Sequence, residues 1–159
     1  MTTQTIQLKN PYLTSLLSSS KLPYFIIFGL TLSYFLWMTA TDSTWVNTDS
    51  DGNNYLAAAR YLVLTHATGA PLFNLVNWLL IRLPLPGTDF FQLAIWSAVF
   101  SAGTATLLYH ITKNYLAPLI FIASGVVVSQ STILELYAPV AFLMVLSYYF
   151  HTKDRHNLK

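Results

Sequence analysis

Residues 90–112 read FFQLAIWSAVFSAGTATLLYHIT and lie between Asp89 and Lys113 with no charged side chain among them. A helix needs about 20 mostly apolar residues to cross a hydrocarbon core that is roughly 30 Å thick. This run reaches that length, and it therefore predicts a transmembrane helix around which the rest of the chain can be placed.

Other charge-free intervals on both sides of this run predict further spans. The three intervals are residues 22–41, 115–134 and 137–151, of which the last is short. The sequence therefore predicts an all-α integral membrane protein with four transmembrane helices. The expected divisions are a flexible tail at residues 1–21, a transmembrane module at 22–151 and a second tail at 152–159. The transmembrane module includes one external loop at 42–89.

The composition supports a membrane setting and excludes several functions. Hydrophobic residues make up 54% of the chain and charged residues 9%, against about 25% charged residues in a typical soluble domain. The chain has no cysteine, which excludes disulfides, thiolate metal sites and a cysteine nucleophile. Its basic residues are spread along the chain instead of clustered, so we expect no nucleic-acid partner.

The positions of the basic residues predict the orientation in the membrane. Four crossings put most of them on one side, namely Lys9, Lys21, Lys113, Lys153, Arg155 and Lys159, and leave Arg60 and Arg82 on the other. Lys and Arg concentrate in cytoplasmic loops. We therefore expect a multi-pass protein with both termini in the cytoplasm and the loop at 42–89, which is rich in acidic residues, outside.

The external loop contains patterns typical of two short interfacial helices. Apolar side chains recur at helical spacing in the first, namely Tyr55, Leu56, Ala59, Leu62 and Val63, which places them on one stripe. The segment THATG at 65–69 interrupts the pattern. Pro71 then suits the first turn of a second helix, where its missing N–H would be unpaired in any case.

The stretch NTDSDGNN at 47–54 admits three interpretations. The first is a turn and helix cap, because Asp and Asn accept backbone N–H bonds at helix starts. The second is a calcium loop, since Asn47, Asp49 and Asp51 alternate before Gly52. That loop requires a bidentate Glu at its twelfth position, where this chain has Ala58. The third interpretation is catalytic.

The catalytic interpretation follows from the continuation of the chain, DGNNYLAAARYLVLTHATGAPLFNLVNWLL at 51–80. It resembles the first external loop of the GT-C superfamily of membrane glycosyltransferases. The particular resemblance is to the protein O-mannosyltransferase-like family, whose members carry D-S-G-E-F-x-A-A-A and then H-P-P-G-Y-P-L-Y. Without a gap, the acidic residue, the three alanines, the histidine, the glycine and the proline fall on Asp51, Ala57–Ala59, His66, Gly69 and Pro71.

A second segment extends this resemblance to the amino-terminal half of the superfamily, across about residues 22–150. SQSTILELYAP at 129–139 is similar to the family's E-V-Y segment, which places Glu135 and Tyr137 at the external membrane boundary. Two departures from the family pattern concern the loop. Asn54 stands where the family has Glu, and Ala67 and Thr68 replace the prolines after the histidine.

The resemblance implies transfer of a sugar from a polyprenyl-phosphate carrier to an external acceptor. Asp51 is then the candidate catalytic base, which orients and deprotonates the acceptor. Arg60 or His66 is the candidate cation that offsets charge on the lipid phosphate, and Glu135 is a further substrate-binding candidate. Asp49 is an alternative carboxylate or a weak metal ligand. The sequence requires no cofactor, although it leaves a divalent cation open.

Enzymes of the superfamily continue through several further spans, which leaves three hypotheses for this chain. It is active as a compact transferase, it is half of a split enzyme, or it is a non-catalytic subunit that packs as a scaffold within a larger membrane complex. The expected partners are a lipid-linked sugar donor and other membrane protein chains. The small-residue run SAGTA at 101–105 is expected to allow close helix packing.

Overall fold

The computed structural model describes residues 21–39, 51–63 and 70–157, with side chains as far as Lys153. Every regular element within these ranges is an α-helix, which confirms the all-α prediction. In chain order the helices are α1 (Leu22–Met38), α2 (Gly52–Tyr61), α3 (Pro71–Leu80), α4 (Asp89–Thr112), α5 (Leu116–Ala123), α6 (Gly125–Ser131) and α7 (Tyr137–Asn157).

Helix α4 is the centre of the fold and contacts each of the other six described helices. Its start is capped, because the Thr88 hydroxyl oxygen accepts a hydrogen bond from the Phe91 backbone N–H at 3.3 Å. The Tyr24 and Tyr149 rings both pack on His110 near its end, at centroid distances of 5.6 and 5.1 Å. The beginning of α1 and the latter part of α7 therefore meet at this end, so α1 runs antiparallel to α4 and α7 runs parallel to it.

The small residues of α4 allow the neighbouring helices to approach closely, as the run SAGTA predicts. Ala98, Ala102 and Ala105 have no exposed surface. A Cβ placed on Gly103 would lie 2.8 Å from a ring carbon of Phe142 in α7. The Ser131 hydroxyl donates to the Ser101 hydroxyl at 2.7 Å. The run is therefore used for packing within the chain, and it does not form an outward face for another subunit.

The four predicted spans correspond to helical regions, although α4 is the one described helix that is long and apolar enough by itself to cross a bilayer. Helix α1 is apolar but has 17 residues. Helix α7 continues past the expected boundary at 151 as far as Asn157. Because one helix satisfies the length and composition criterion, the count of four crossings stays a prediction.

The third predicted span, 115–134, is not one continuous helix. It is divided into α5 and α6 at Ser124, whose backbone is extended at φ −70° and ψ 123°. Ser and Gly are weaker helix formers than the apolar residues around them, and Ser124 and Gly125 adjoin at the break. The apolar run at 115–134 predicted a helical region correctly, but it did not predict where the helix is interrupted.

The predicted external loop contains the two short helices that the sequence predicts, α2 and α3, and Pro71 is the first residue of the second. The Tyr55 and Phe73 rings join them edge to face at 4.9 Å. The predicted apolar stripe is too long, however. Leu62 takes a left-handed conformation at φ 55° and ends α2. Leu62 and Val63 are consequently exposed, whereas Tyr55 and Ala59 are buried.

Candidate functional site

Asp51 precedes the first residue of α2 and is exposed. Its backbone carbonyl accepts the Tyr55 N–H at 2.9 Å, which begins the helix. Asp51 occupies the N-cap position of α2, but its side chain makes no capping hydrogen bond. The rest of the predicted turn, residues 47–50, lies outside the described residues.

Glu135 occupies the opposite environment, with 5% of its surface exposed. It follows Leu134, which belongs to a buried cluster between α2 and α4 that also contains Tyr55, Ala59, Phe90 and Leu93. Tyr137, two residues later, begins α7 and is exposed. A buried carboxyl group is costly unless polar groups or charges compensate it. Glu135 is therefore enclosed by the packing of this part of the fold, and its substrate-binding role stays a prediction.

The charges of Asp51 and Glu135 both act on the phenol of Tyr55. Burial raises the pKa of the Tyr55 phenol above its ordinary value of 10.0, and the nearby charges of Glu135 and Asp51 raise the pKa further, as does Tyr137. A phenolate would be desolvated and repelled by two carboxylates, so the neutral phenol is favoured. Residues that are remote in the sequence, Asp51 and Glu135, thus act on the same hydroxyl group.

Sequence reasoning placed Tyr55 on the apolar stripe and gave it no role in the site. A signal for that role was present, because Tyr55 follows Asp51 by four residues, and residues at this spacing lie on one face of a helix. The sequence did not predict that the segment around Glu135 packs against the face of α2 that carries Tyr55. The packing of Leu134 on α2 supplies this contact.

Arg60 forms an ion pair with Asp89, the first residue of α4. The Arg60 Nη2 and Nε atoms lie 2.6 and 2.8 Å from the same carboxylate oxygen, Oδ2. The two side chains are 49% and 35% exposed. The pair fixes the end of α2 to the start of α4, and half of the guanidinium side chain still faces solvent. Arg60 therefore joins α2 to α4, while its contact with a lipid phosphate stays a prediction.

His66 and Asp49 lie outside the described residues, and their assignments stay predictions. In the part of the chain that the structure describes, no group of three or more His, Asp or Glu side chains could hold a metal ion. The proposed weak metal ligand, Asp49, is outside that part.

The turn that leads into α4 is held by a side chain that the sequence analysis passed over. Gln92 is 9% exposed, and its Nε2 donates to the carbonyl oxygens of Leu85 at 2.7 Å and Gly87 at 3.3 Å. This fixes the chain just before Asp89, and therefore the carboxylate to which Arg60 is paired. The site thus rests on the start of a well-packed helix, although the loop supplies its polar groups.

Comparison with known families identifies the same region. Residues 51–147, more than half of the chain, match the family model described as the protein O-mannosyl-transferase TMEM260 N-terminal domain. No curated protein and no solved structure matches the chain. The matched range begins at Asp51 and includes Arg60, Tyr55 and Glu135.

Proposed function

Because the chain belongs to the family of the protein O-mannosyl-transferase TMEM260 N-terminal domain, we propose that it is a membrane glycosyltransferase of the GT-C type. In this proposal it moves a sugar, of which mannose is the first candidate, from a polyprenyl-phosphate donor to a hydroxyl acceptor outside the membrane. The single observation that carries the proposal is the family match across the residues that build the acidic site, Asp51 to Glu135. It agrees with the resemblance to the protein O-mannosyltransferase-like family that the loop sequence shows.

Asp51 and Glu135 have different roles in the proposed reaction, because Asp51 is exposed and Glu135 is buried. The exposed Asp51 accepts the proton of the acceptor hydroxyl, whose oxygen then forms a bond to the anomeric carbon of the sugar. The bond between that carbon and the phosphate oxygen breaks, and polyprenyl phosphate leaves with the electron pair. General-base assistance of this kind contributes about 10²- to 10⁴-fold to a rate.

The surrounding residues serve positioning and charge in this proposal. Glu135, which is buried, holds its carboxyl group beside the neutral Tyr55 phenol and helps to orient the acceptor. Arg60, or His66 in the segment between α2 and α3, balances the negative charge of the departing phosphate. Arg60 is already paired with Asp89, and 49% of its side chain is still exposed, which supports a second contact with a phosphate oxygen.

The proposal includes a topology in which α1, α4, the α5–α6 pair and α7 cross the membrane, with both chain termini in the cytoplasm. The absence of native cysteine makes a direct test simple. A cysteine at Asn53 should react with a membrane-impermeant maleimide in intact cells, and a cysteine at Asn114 should react only after the membrane is opened. Reversed labelling would place the acidic loop on the wrong side for an external transferase.

Transfer itself is tested with membranes that contain the chain and with matched membranes that lack it. Polyprenyl-phosphate mannose carrying a radioactive sugar is supplied together with a Ser/Thr-rich acceptor peptide, and labelled peptide is measured. Polyprenyl-phosphate glucose and nucleotide-linked mannose serve as donor controls. We expect transfer from the lipid-linked donor only when the chain is present. Equal transfer in both membranes, or a preference for the nucleotide sugar, would contradict the proposal.

A further inference from the structure

The end of α4 that lies away from the acidic site is surrounded by basic residues, and we name it the basic end. Lys113 caps the end of α4, Lys21 precedes α1, and Lys153 lies in the latter part of α7. The start of α1 and the latter part of α7 both pack beside this end of α4, and the three lysines are exposed. Asp154 and Arg155 follow with opposite charges. The described acidic side chains lie at the other end of α4, namely Asp51, Asp89 and Glu135.

Lys113 is held in place at the basic end and keeps a donor for a ligand. Its Nζ donates to the Tyr24 hydroxyl at 2.7 Å and lies 3.5 Å from Nδ1 of His110. A lysine ammonium has three N–H donors, so these two neighbours leave at least one of them for another acceptor. The contact with Tyr24 thus fixes an exposed positive charge beside the start of α1.

An apolar groove with a volume of about 190 Å³ runs between α1 and α5. Both helices pack on α4 but make little contact with each other, which leaves this space between them. Leu30 and Leu119 line it and are 68% and 53% exposed, so the groove opens to the outside of the helix bundle. Its other apolar walls come from both helices, namely Ile26, Ile27, Pro118 and Ile122.

The groove begins beside Lys113. Tyr24, Ile27 and Thr31 are spaced i, i+3 and i+7 along α1, which places them on one helix face. Tyr24 contacts Lys113, and the other two line the groove. On the opposite wall, Tyr115 lines the groove two residues after Lys113. The same ligand can therefore reach the ammonium group and the apolar space.

The length of the groove matches the upper part of an acyl chain. At the rise of an α-helix, Leu30 lies about 12 Å along α1 from Leu22, and Ile122 lies about 9 Å along α5 from Leu116. Half of a hydrocarbon core is about 15 Å thick. With the lysines at the membrane boundary, where long basic side chains reach the headgroups, the groove spans most of one leaflet.

From these observations we propose that the groove and the basic end together bind an anionic glycerophospholipid, from the leaflet on the side away from the acidic loop. One acyl chain lies between α1 and α5, and the headgroup phosphate accepts a hydrogen bond from Lys113 Nζ. Charge selects this ligand, because a headgroup with a net negative charge is attracted to the lysines and one without net charge is not. The site lies at the other end of α4 from the acidic site, so its test does not depend on transfer activity.

The test is a competition between two lipids that differ in the charge of the headgroup. The purified full chain in mild neutral detergent is equilibrated with equal amounts of phosphatidylglycerol and phosphatidylcholine that carry the same acyl chains. Lipid that remains bound is measured by native mass spectrometry. We expect about tenfold preference for phosphatidylglycerol, the effect of one to two basic residues at an anionic lipid surface. Equal retention of the two lipids, or no retention of either, would overturn the proposal.

Variants at Lys113 separate the headgroup contact from folding. Lys113→Gln should reduce the preference about fivefold, the effect of one basic residue, whereas Lys113→Arg keeps the charge and should keep the preference. The matched control is Arg82→Gln, because Arg82 is also exposed but follows α3, whose end packs against the buried cluster around Tyr55. A full preference in Lys113→Gln, or an equal loss in Arg82→Gln, would refute the headgroup contact.

A second pair of variants tests the groove. Leu119→Trp should reduce the retention of both lipids by filling the space between α1 and α5. Leu116→Trp is its control, since Leu116 is 61% exposed at the start of α5 and does not line the groove, and it should bind lipid as wild type does. Unchanged retention in Leu119→Trp would show that the acyl chain lies elsewhere.

A soluble phosphate is tested as the rival ligand of the lysines. Glycerol phosphate, which has the anionic group without acyl chains, should leave bound phosphatidylglycerol in place when it is added at equal concentration. Displacement from the wild-type chain would show that the basic end takes a soluble anion, and the lipid proposal would be wrong. Because the wild-type competitions require no variant, poor folding of any substituted chain leaves the proposal testable.

Discussion

Neutralising the ion pair between α2 and α4 tests how the candidate site is attached to the fold. Arg60 places two nitrogens at 2.6 and 2.8 Å from one oxygen of Asp89, but both side chains are partly exposed. Exposed pairs contribute about 0.2–1 kcal/mol. Asp89 also lies in the first turn of α4, where a negative charge contributes about 0.3–1 kcal/mol with the helix dipole. We therefore expect Asp89→Asn to destabilise the protein more than Arg60→Gln.

A double-mutant cycle measures this attachment directly. Thermal unfolding of wild type, Arg60→Gln, Asp89→Asn and the double variant in detergent should give a coupling of about 0.5 kcal/mol, near the middle of the range for exposed pairs. Raising the salt concentration should reduce this coupling, because it screens exposed charges. A coupling of zero at low salt would show that the pair does not join the helices. A salt-independent coupling above about 2 kcal/mol would show that it is far more buried than its exposure indicates.

Three further predictions concern packing, protonation and backbone conformation. Gly103→Leu should destabilise the protein by about 2 kcal/mol through overpacking, because a Cβ at this position would lie 2.8 Å from a ring carbon of Phe142 in α7. The control Gly29→Leu should change the Tm little, since a Cβ there meets nothing within 4 Å. Equal effects of the two substitutions would refute this packing. Because the folded-state pKa of Tyr55 is raised above 10.0, its contribution to stability is complete below that pH and lost as pH rises further. Tyr55→Phe should therefore flatten the alkaline fall in Tm, and an unchanged fall would exclude this role. Gly87→Ala should lower stability by about 2 kcal/mol, because a positive φ is costly for alanine. Gly87 has φ +98°, and the new Cβ would lie 2.7 Å from the Phe91 ring. An unchanged Tm would show that this turn is not constrained.

The sequence predicted the helices because apolar length and charge placement are properties of local sequence. The start of α3 at Pro71 and the position of α4 follow from such signals. The break at Ser124 and the end of α2 at Leu62 did not. Ser124 is extended, which many residues adopt, and Leu62 is left-handed, which a leucine rarely adopts and its sequence does not announce. Helix boundaries of this kind are decided by tertiary packing as much as by propensity.

The candidate site was predictable residue by residue but not as an arrangement. The loop motif indicated Asp51, and the second motif indicated Glu135, but the sequence contained no information on their mutual position. The burial of Tyr55, on whose phenol both charges act, arises from the packing of α2 against α4 and Leu134. Likewise, Arg60 was predicted as a cation, while its pairing with Asp89 requires the loop helix to fold back on the start of α4.

The most direct test of the proposed function is the effect of Asp51→Asn on sugar transfer from polyprenyl-phosphate mannose. The substitution keeps the size of the side chain, and insertion, expression and Tm are measured beside transfer so that a loss of rate is separated from a loss of folding. Loss of a general base should reduce the transfer rate by about 10²- to 10⁴-fold. The control Asp154→Asn makes the same chemical change near the end of α7, which meets the opposite end of α4 from the site, and it should retain most of the rate. A rate within a factor of about two of wild type, well below that range, would show that Asp51 is not the base and would contradict the account of the acidic site.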